Sequence, residues 1–388
     1  MRAALPALLL AGCASVPAAT PVTAPIVAAS AETDPVDSTS DAADDPAIWR
    51  NRADPAASLI IGTDKQVGIH VYDLKGKRLS FTPAARLNNV DLREMAGGRV
   101  IVAASDRADT ANAHVALFNL DTVARRLVPM GRYPVGAGEA YGMCLWTRAS
   151  DKALFGFVVL KDGRIDQVRI DVSGATPRVE TVRSMRLGTR AEGCVVDDRT
   201  GTLYVAEEDV GLWRFAADPA APTTATPIAV VDGRTLVADA EGLALAPKGK
   251  TSGYLVVSSQ GDNAYTLYRL ADMTYAGRFR IGGGAIDGTS ETDGIELALG
   301  DFGPDYPEGL FVAQDGDNAP DTQNFKYVSW AVDREGTRPV GLSTGRQCDE
   351  TGQGHGMPAL CPGAAAIALR PPLRHADRTR PTRLTGGM

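Results

Sequence analysis

The chain has 388 residues, 44% of them apolar and 22% charged, which suits a large folded core and excludes an intrinsically disordered chain. The 40 basic residues against 47 acidic ones leave a formal charge of −7, so binding of nucleic acid through a basic surface is not expected. Only four histidines are present (His70, His114, His355 and His375), too few for a His-rich zinc or di-iron centre.

The first twelve residues predict an export signal. Met1-Arg2 carries one positive charge, Ala3 to Ala11 is apolar, and Leu10-Ala11-Gly12-Cys13 has the form of a lipobox. Cys13 is then the expected lipid attachment point, and the product is expected at the cell envelope, in the periplasm or released. Residues 13–31, rich in Ala, Pro, Thr and Val, read as a tether, and residues 32–388 as the folded domain with a C-terminal tail. No run of 18 apolar residues is present, so no ordinary membrane-spanning helix is expected.

A repeat organises the domain. Its copies begin at Asp45-Pro-Ala-Ile-Trp49, Asn89-Val-Asp-Leu-Arg93, Tyr141-Gly-Met-Cys-Leu145, Glu192-Gly-Cys-Val-Val196, Glu241-Gly-Leu-Ala-Leu245 and Asp293-Gly-Ile-Glu-Leu297, spaced by 44, 52, 51, 49 and 52 residues. A second apolar run ending in polar residues follows each start, as in Leu59–Lys65, Val100–Arg107, Phe157–Lys161, Leu203–Glu208, Tyr254–Gln260 and Leu310–Asp315. Short β-prone runs, turn residues and a period near fifty predict an all-β fold, a six-bladed β-propeller. Successive strands of a blade are antiparallel. The start of the first and the end of the second therefore meet at one end of the blade, near the axis.

The landmark residues gathered there are mostly acids: Asp44, Asp45, Glu192, Glu207, Glu208, Asp239, Glu241, Asp287, Glu291, Asp293 and Asp315. The bases Lys65, Arg107 and Lys161 come from the first three copies. Crowded carboxylates need cations or raised pKa values, and oxygen ligands without His or Cys favour a hard cation, calcium above all. The basic arc suits an anion such as phosphate. Cys144 and Cys194 stand in the first strands of adjacent copies, one position out of register, which leaves a bridge and two separate thiols equally open. Cys348 and Cys361 flank a Gly-rich loop and are expected to pair.

Several longer segments carry a family resemblance: Asp41-Ala-Ala-Asp-Asp-Pro-Ala-Ile-Trp49, Leu87-Asn-Asn-Val-Asp-Leu-Arg93, Leu203-Tyr-Val-Ala-Glu-Glu-Asp209, Ser258-Ser-Gln-Gly261, Asp287-Gly-Thr-Ser-Glu-Thr-Asp-Gly294, Gly309-Leu-Phe-Val-Ala-Gln-Asp-Gly316 and Gln323-Asn-Phe-Lys326. Over about residues 32–330 the chain resembles the β-propeller phytases, the calcium-dependent alkaline phytases of Bacillus-type bacteria. The resemblance implies several calcium ions and hydrolysis of phytate, myo-inositol hexakisphosphate, as in a 3-phytase. Residue by residue, it implies calcium carboxylates at Asp44, Asp45, Glu192, Glu208, Asp239, Glu241, Asp287 and Asp293, and structural calcium ligands at Asp315, Asn318 and Asn324. It implies phosphate contacts from Lys65, Arg107, Tyr141 and Lys161. Gln66 departs from the family's second lysine, Asp106 from an Asn and Glu291 from an Asp; affinity and subsite preference are what these changes bear on.

The chemistry expected is direct attack of an activated water on phosphorus, with Glu192 orienting or deprotonating it and no covalent phospho-enzyme. The chain is expected to act as a monomer on inositol phosphates. Two other functions fit a six-bladed propeller: a calcium-dependent lactonase or esterase, which has no need of the arc Lys65, Arg107, Lys161, and a non-catalytic binding scaffold, which has no need of the acids. Arg374-His-Ala-Asp-Arg-Thr-Arg-Pro381 approximates a histidine acid phosphatase motif, but Ala376 replaces its Gly and Pro381 comes one residue late. It is read as solvated tail.

Overall fold

The computed structural model describes residues 19–331, and six sheets make up the fold. Cys13 and the lipobox, Cys348 with Cys361, and the Arg374–Pro381 segment lie outside the described residues. The sheets are the blades of a six-bladed β-propeller, as the repeat predicts. Blade one is Ala43–Trp49, Leu59–Asp64, Gly68–Tyr72 and Arg78–Pro83; blade two is Leu87–Glu94, Val100–Asp106, Asn112–Asp121 and Arg126–Ala137. Blade three is Ala140–Thr147, Leu154–Leu160, Arg164–Asp171 and Arg178–Arg186; blade four is Ala191–Asp197, Thr202–Glu207, Gly211–Ala216 and Thr226–Val230. Blade five runs Ala240–Lys248, Ser252–Ser259, Ala264–Arg269 and Tyr275–Ile281, and blade six Ile295–Leu299, Gly309–Asp315 and Asn324–Ser329. The only helical elements among the described residues are two 3-10 turns, Pro55–Ala57 and Gln260–Asp262.

Residues 19–31, expected as tether, do more than connect. Ile26–Val27 pairs in parallel with Tyr275–Ile281 at the outside of blade five, and Ala31–Glu32 pairs antiparallel with Asn324–Ser329 as the fourth strand of blade six. The stretch is uncharged up to Glu32, and β-branched Ile26 and Val27 sit comfortably on a sheet edge. The beginning of the domain thus closes the blade that its end builds.

Burial explains the apolar runs. Leu59–Asp64, Val100–Asp106, Leu154–Leu160 and Gly309–Asp315 are buried at every position, because blades stack on both faces of a second strand. A strand covered on both faces reads as a continuous apolar run, whereas the outer strand Arg178–Arg186 is mostly exposed and polar. Six apolar clusters result, one between each neighbouring pair of blades. His70 belongs to this packing: it is fully buried, lies 4.8 Å from the Phe81 ring, and burial lowers its pKa to about 4.

The innermost strands pack against one another around the axis, and their closeness explains the glycines of the repeat. Gly242 donates its N–H to the Asp293 carbonyl at 2.8 Å, and a Cβ there would lie 2.6 Å from that oxygen. A Cβ on Gly142 or Gly193 would collide with the carbonyl of Glu192 or Glu241 in the next blade. Below these residues Cys144 and Cys194 form a disulfide, Cα to Cα 5.7 Å, that joins the inner strands of blades three and four. By loop entropy a bridge over 50 residues is worth about 4 kcal/mol. Gly193→Ala is expected to lower stability by about 1–3 kcal/mol through overpacking, read from the midpoint of urea unfolding; an unchanged midpoint would refute the close approach.

Candidate functional site

Strand register defines the site. Ala43, Leu87, Ala140, Ala191 and Ala240 open the inner strands and pair with Asp64, Asp106, Leu160, Glu207 and Ser259, the last residues of the second strands. Immediately after each opening residue the ladder is interrupted by a bulge, which releases the next side chain from the sheet. Those side chains are Asp44, Asn88, Tyr141, Glu192 and Glu241, joined from blade six by Asp293. The repeat as read from sequence starts one residue late in the first two copies. Asp45 and Asn89 occupy the place that glycine holds in the other four, so the pattern of polar residue before an apolar run slides by one.

A second ring surrounds the first. Lys65, Arg107, Lys161, Glu208 and Gln260 follow the second strands and donate their N–H groups to the carbonyls of Ala42, Arg86, Glu139, Arg190 and Asp239 at 2.7–3.1 Å. The expected convergence of the two landmarks at one mouth is therefore observed.

Carboxylates dominate one arc. Oxygens of Glu192, Glu208 and Glu241 lie within 4.8 Å of one another, and all three residues are buried. Asn88 donates from Nδ2 to Glu192 Oε1 at 2.7 Å, and Gln260 Nε2 to Asp293 Oδ1 at 2.7 Å. Asp44 Oδ2, Glu208 Oε1 and Glu241 Oε2 are buried oxygens with no hydrogen-bond donor. Desolvation raises Asp44, Glu192, Glu208 and Glu241, and repulsion from neighbouring carboxylates adds to it. Glu192 is pushed well up by burial and then by Asp44 and Asp293, and Glu241 by burial and then by Glu192, Asp293 and Glu208. Burial lifts Glu208 to about 7 against the pull of Arg190, and lifts Asp44 to about 6 against the pull of Lys65.

Cations line the other arc. Lys65 Nζ meets Asp41 at 2.6 Å, Asp293 at 2.9 Å and Asp44 at 3.1 Å. Burial alone would lower the Lys65 pKa, but Asp44, Asp293 and Asp41 more than offset it and hold it well above its usual value. Arg107 donates from Nη1 to Asn88 at 2.6 Å and pairs through Nε with Glu139 at 3.3 Å. Lys161 reaches the same carboxylate at 4.0 Å. Both cations flank the Tyr141 ring, with Arg107 Cζ 5.5 Å and Lys161 Nζ 5.1 Å from its centroid. Burial, followed by the charges of Glu192, Glu241 and Glu208, raises the Tyr141 phenol, which therefore stays protonated.

Of the remaining expected ligands Asp239 stands at the acidic arc, and the others are placed elsewhere or deeper. Asp45 points below the ring, where Oδ2 accepts the Val90 N–H at 2.9 Å, and burial raises its pKa. Asp239 acts electrostatically on Glu208 and Glu241 at the acidic arc. Asp287 does not join that arc. It pairs with Lys326, a fully buried lysine that also meets Asn318 Oδ1 at 2.9 Å and Asp315 Oδ2 at 3.3 Å. Asn324 donates to Glu32 Oε2 at 3.0 Å, and Glu32 also pairs with Lys326. Asp287, Asp315, Asn318 and Asn324 thus form a second acidic and amide group around the Lys326 ammonium.

Sequence reasoning missed Asn88, Glu139 and Arg190. A signal existed: Glu139-Ala-Tyr-Gly142, Arg190-Ala-Glu-Gly193 and Asp239-Ala-Glu-Gly242 are in register, and only the third opening residue was singled out.

Fold and mouth define the class first: a six-bladed propeller whose mouth gathers a trio of buried glutamates beside an arc of cationic side chains. Comparison with known proteins makes it particular. The family model described as Phytase matches residues 1–336. Over 322 residues the chain is 41% identical to the 3-phytase of Bacillus subtilis (strain 168), covering 78% of this chain and 83% of that one. The chain belongs to the phytase family and is an enzyme of it. Two solved structures share the fold at low identity. Regucalcin of Agrobacterium tumefaciens str. C58, a calcium-binding protein, aligns at TM-score 0.50 and 12% identity over 79% of this chain and 97% of its own. A protein of unknown function from Bacteroides thetaiotaomicron VPI-5482 aligns at TM-score 0.50 and 10% identity, over 78% and 73%.

The raised carboxylates have a consequence with a definite sign. A carboxyl whose folded pKa lies above its unfolded value binds more protons when folded, so the stability it contributes is lost as pH rises through the folded pKa. His70 acts oppositely, but only below about 6.5 where the unfolded imidazole takes a proton. With a chelator present, the melting temperature is expected to fall between about pH 6.5 and 8, the range set by Glu208 at about 7 and by Glu296, a carboxyl on the inner strand of blade six that burial and then Asp91 raise to about 8. A flat or rising profile there would contradict the crowding.

Proposed function

We propose that the mouth hydrolyses phytate with the help of bound calcium. The observation that carries the reading is the trio Glu192, Glu208 and Glu241, whose oxygens converge within 4.8 Å beside buried oxygens that lack donors. All-oxygen ligands in a crowded, desolvated group fit a hard dication. Asp44, Asp239, Glu241 and Asp293 would complete the ligand set with Glu192 and Glu208. When bound, calcium supplies charge neutralisation and polarises phosphoryl oxygens.

The chain's own groups do the rest. Lys65, Arg107 and Lys161 hold phosphate oxygens by charge-assisted hydrogen bonds, with Arg107 oriented by Asn88 and Glu139. Tyr141, protonated and set between Arg107 and Lys161, offers a neutral donor to the phosphate they hold. Glu192 accepts a hydrogen bond from Asn88 that fixes its carboxylate, and it orients or deprotonates the attacking water. Attack is direct and in line, and the leaving inositol oxygen departs without a phospho-enzyme. The 41% identity to a 3-phytase supports phytate as the substrate.

Chelation is expected to abolish phosphate release from phytate, and calcium to restore it and to raise the melting temperature at pH 8; full turnover without metal would end the calcium reading. Glu192→Gln is expected to lower kcat by roughly 100-fold or more while the protein remains folded, and near-normal turnover would take Glu192 out of the chemistry.

A further inference from the structure

The mouth changes character at one blade boundary. Blade three contributes Tyr141 and Lys161, and blade four contributes Glu192 and Glu208. In the phytate reading the first pair holds the phosphate, while Glu192 orients the water that attacks it. The spacing of the inner strands Ala140–Thr147 and Ala191–Asp197 therefore sets the distance over which the reaction takes place. Repulsion loads this joint, because Asp44 and Asp293 from across the mouth and Glu241 beside it all act on Glu192.

Side chains just below the mouth tie neighbouring blades together. Asp45 Oδ2 of blade one accepts the Val90 N–H of blade two at 2.9 Å. Asp91, three residues past Asn88, accepts the Leu145 N–H of blade three through Oδ2 at 2.7 Å. Cys144 holds the same place three residues past Tyr141, and there the tie to blade four is the covalent bond to Cys194. Cys194 is two residues past Glu192, so the bond lies about 7–10 Å along the strands from both mouth residues. Both cysteines are buried, and both line the small axial cavity beneath the mouth together with Gly193, Gly242 and Glu296. A hydrogen bond exchanges with water as the strands fluctuate, whereas a sulfur–sulfur bond keeps its length until it is chemically reduced.

We propose that Cys144 and Cys194 are positioning residues for the reaction. Their bond fixes Glu192 relative to Tyr141, and so the water-orienting half of the mouth relative to the phosphate-holding half, which makes turnover depend on the oxidised state of this pair. Opening the bond takes two electrons and two protons from a dithiol, which leaves as its own cyclic disulfide, and yields two thiols with no covalent tie between the blades. The inference rests on the phytate reading above and adds a positioning device to it.

Steady-state kinetics on phytate at saturating calcium, well below the melting midpoint, test it. Wild type is compared with Cys144→Ala/Cys194→Ala and with a Cys348→Ala/Cys361→Ala chain refolded from urea with and without dithiothreitol, its thiols counted afterwards. Misplacing a catalytic group by about 1 Å costs up to about 100-fold in rate. Both bond-free forms are accordingly expected to lose at least about tenfold in kcat with KM changed less than about threefold, and re-oxidation is expected to restore the reduced chain. A merely structural tie would lower the melting temperature and leave kcat at the wild-type value in the folded bond-free forms, and that result overturns the proposal. A raised KM with unchanged kcat overturns it too. If the alanine pair does not fold, the reduced chain decides, since both cysteines are still in place; failure of both forms to fold assigns the bond to stability alone and also overturns the proposal. Wild type that releases no phosphate from phytate removes the functional reading and this inference together, whereas wild-type turnover with undiminished kcat in the bond-free forms removes the inference alone.

Discussion

Three buried carboxylates within 4.8 Å of one another repel, and the rest of the molecule is what keeps them there. Each is delivered by a different blade or by a different strand of one blade, so none can relax without moving a packed sheet. The apolar clusters between blades supply the opposing free energy, at about 1.5–3 kcal/mol for each large side chain fully buried. The disulfide between Cys144 and Cys194 adds a covalent tie two residues past Glu192. Repulsion at the mouth is thus stored in the fold, in a form that a dication or protons can relieve.

Lysine plays a corresponding part at two places. Lys65 sits among Asp41, Asp44 and Asp293, and Lys326 among Glu32, Asp287, Asp315 and Asn318. The first group belongs to the mouth and joins the acidic arc to the basic one. The second stands where blade six meets Ala31–Glu32 and ties the two ends of the domain together. Buried charge is costly unless paired, and both lysines are paired several times.

Architecture was legible in the sequence because propeller geometry repeats. The spacing near fifty gave six blades, and the antiparallel order of strands placed Lys65, Arg107, Lys161 and Glu208 at the same end as Glu192 and Glu241. What remained hidden depended on features with no periodic trace. The slip at Asp45 and Asn89 arose because two blades put polar residues where the others put glycine. Ile26–Val27 and Ala31–Glu32 are too short to announce themselves as strands and exist through their partners in blades five and six. Asp287 is close in sequence to Asp293, yet a loop carries it to Lys326 instead of the acidic trio. Arg190 and Glu139 escaped because a residue just outside a strand looks like ordinary turn chemistry.

Closure of the ring by Ala31–Glu32 has a temporal meaning. During synthesis from the N-terminus, this segment is made before any of the blade strands from Ala43 onward, and its partner strand Asn324–Ser329 only after the first five blades. Until then both edges of the growing arc offer unpaired backbone groups, which invites pairing with other chains. The hydrogen bonds that close the ring join a segment made before the blades to the last strand of blade six, and a nascent chain arrested before residue 324 would lack that strand.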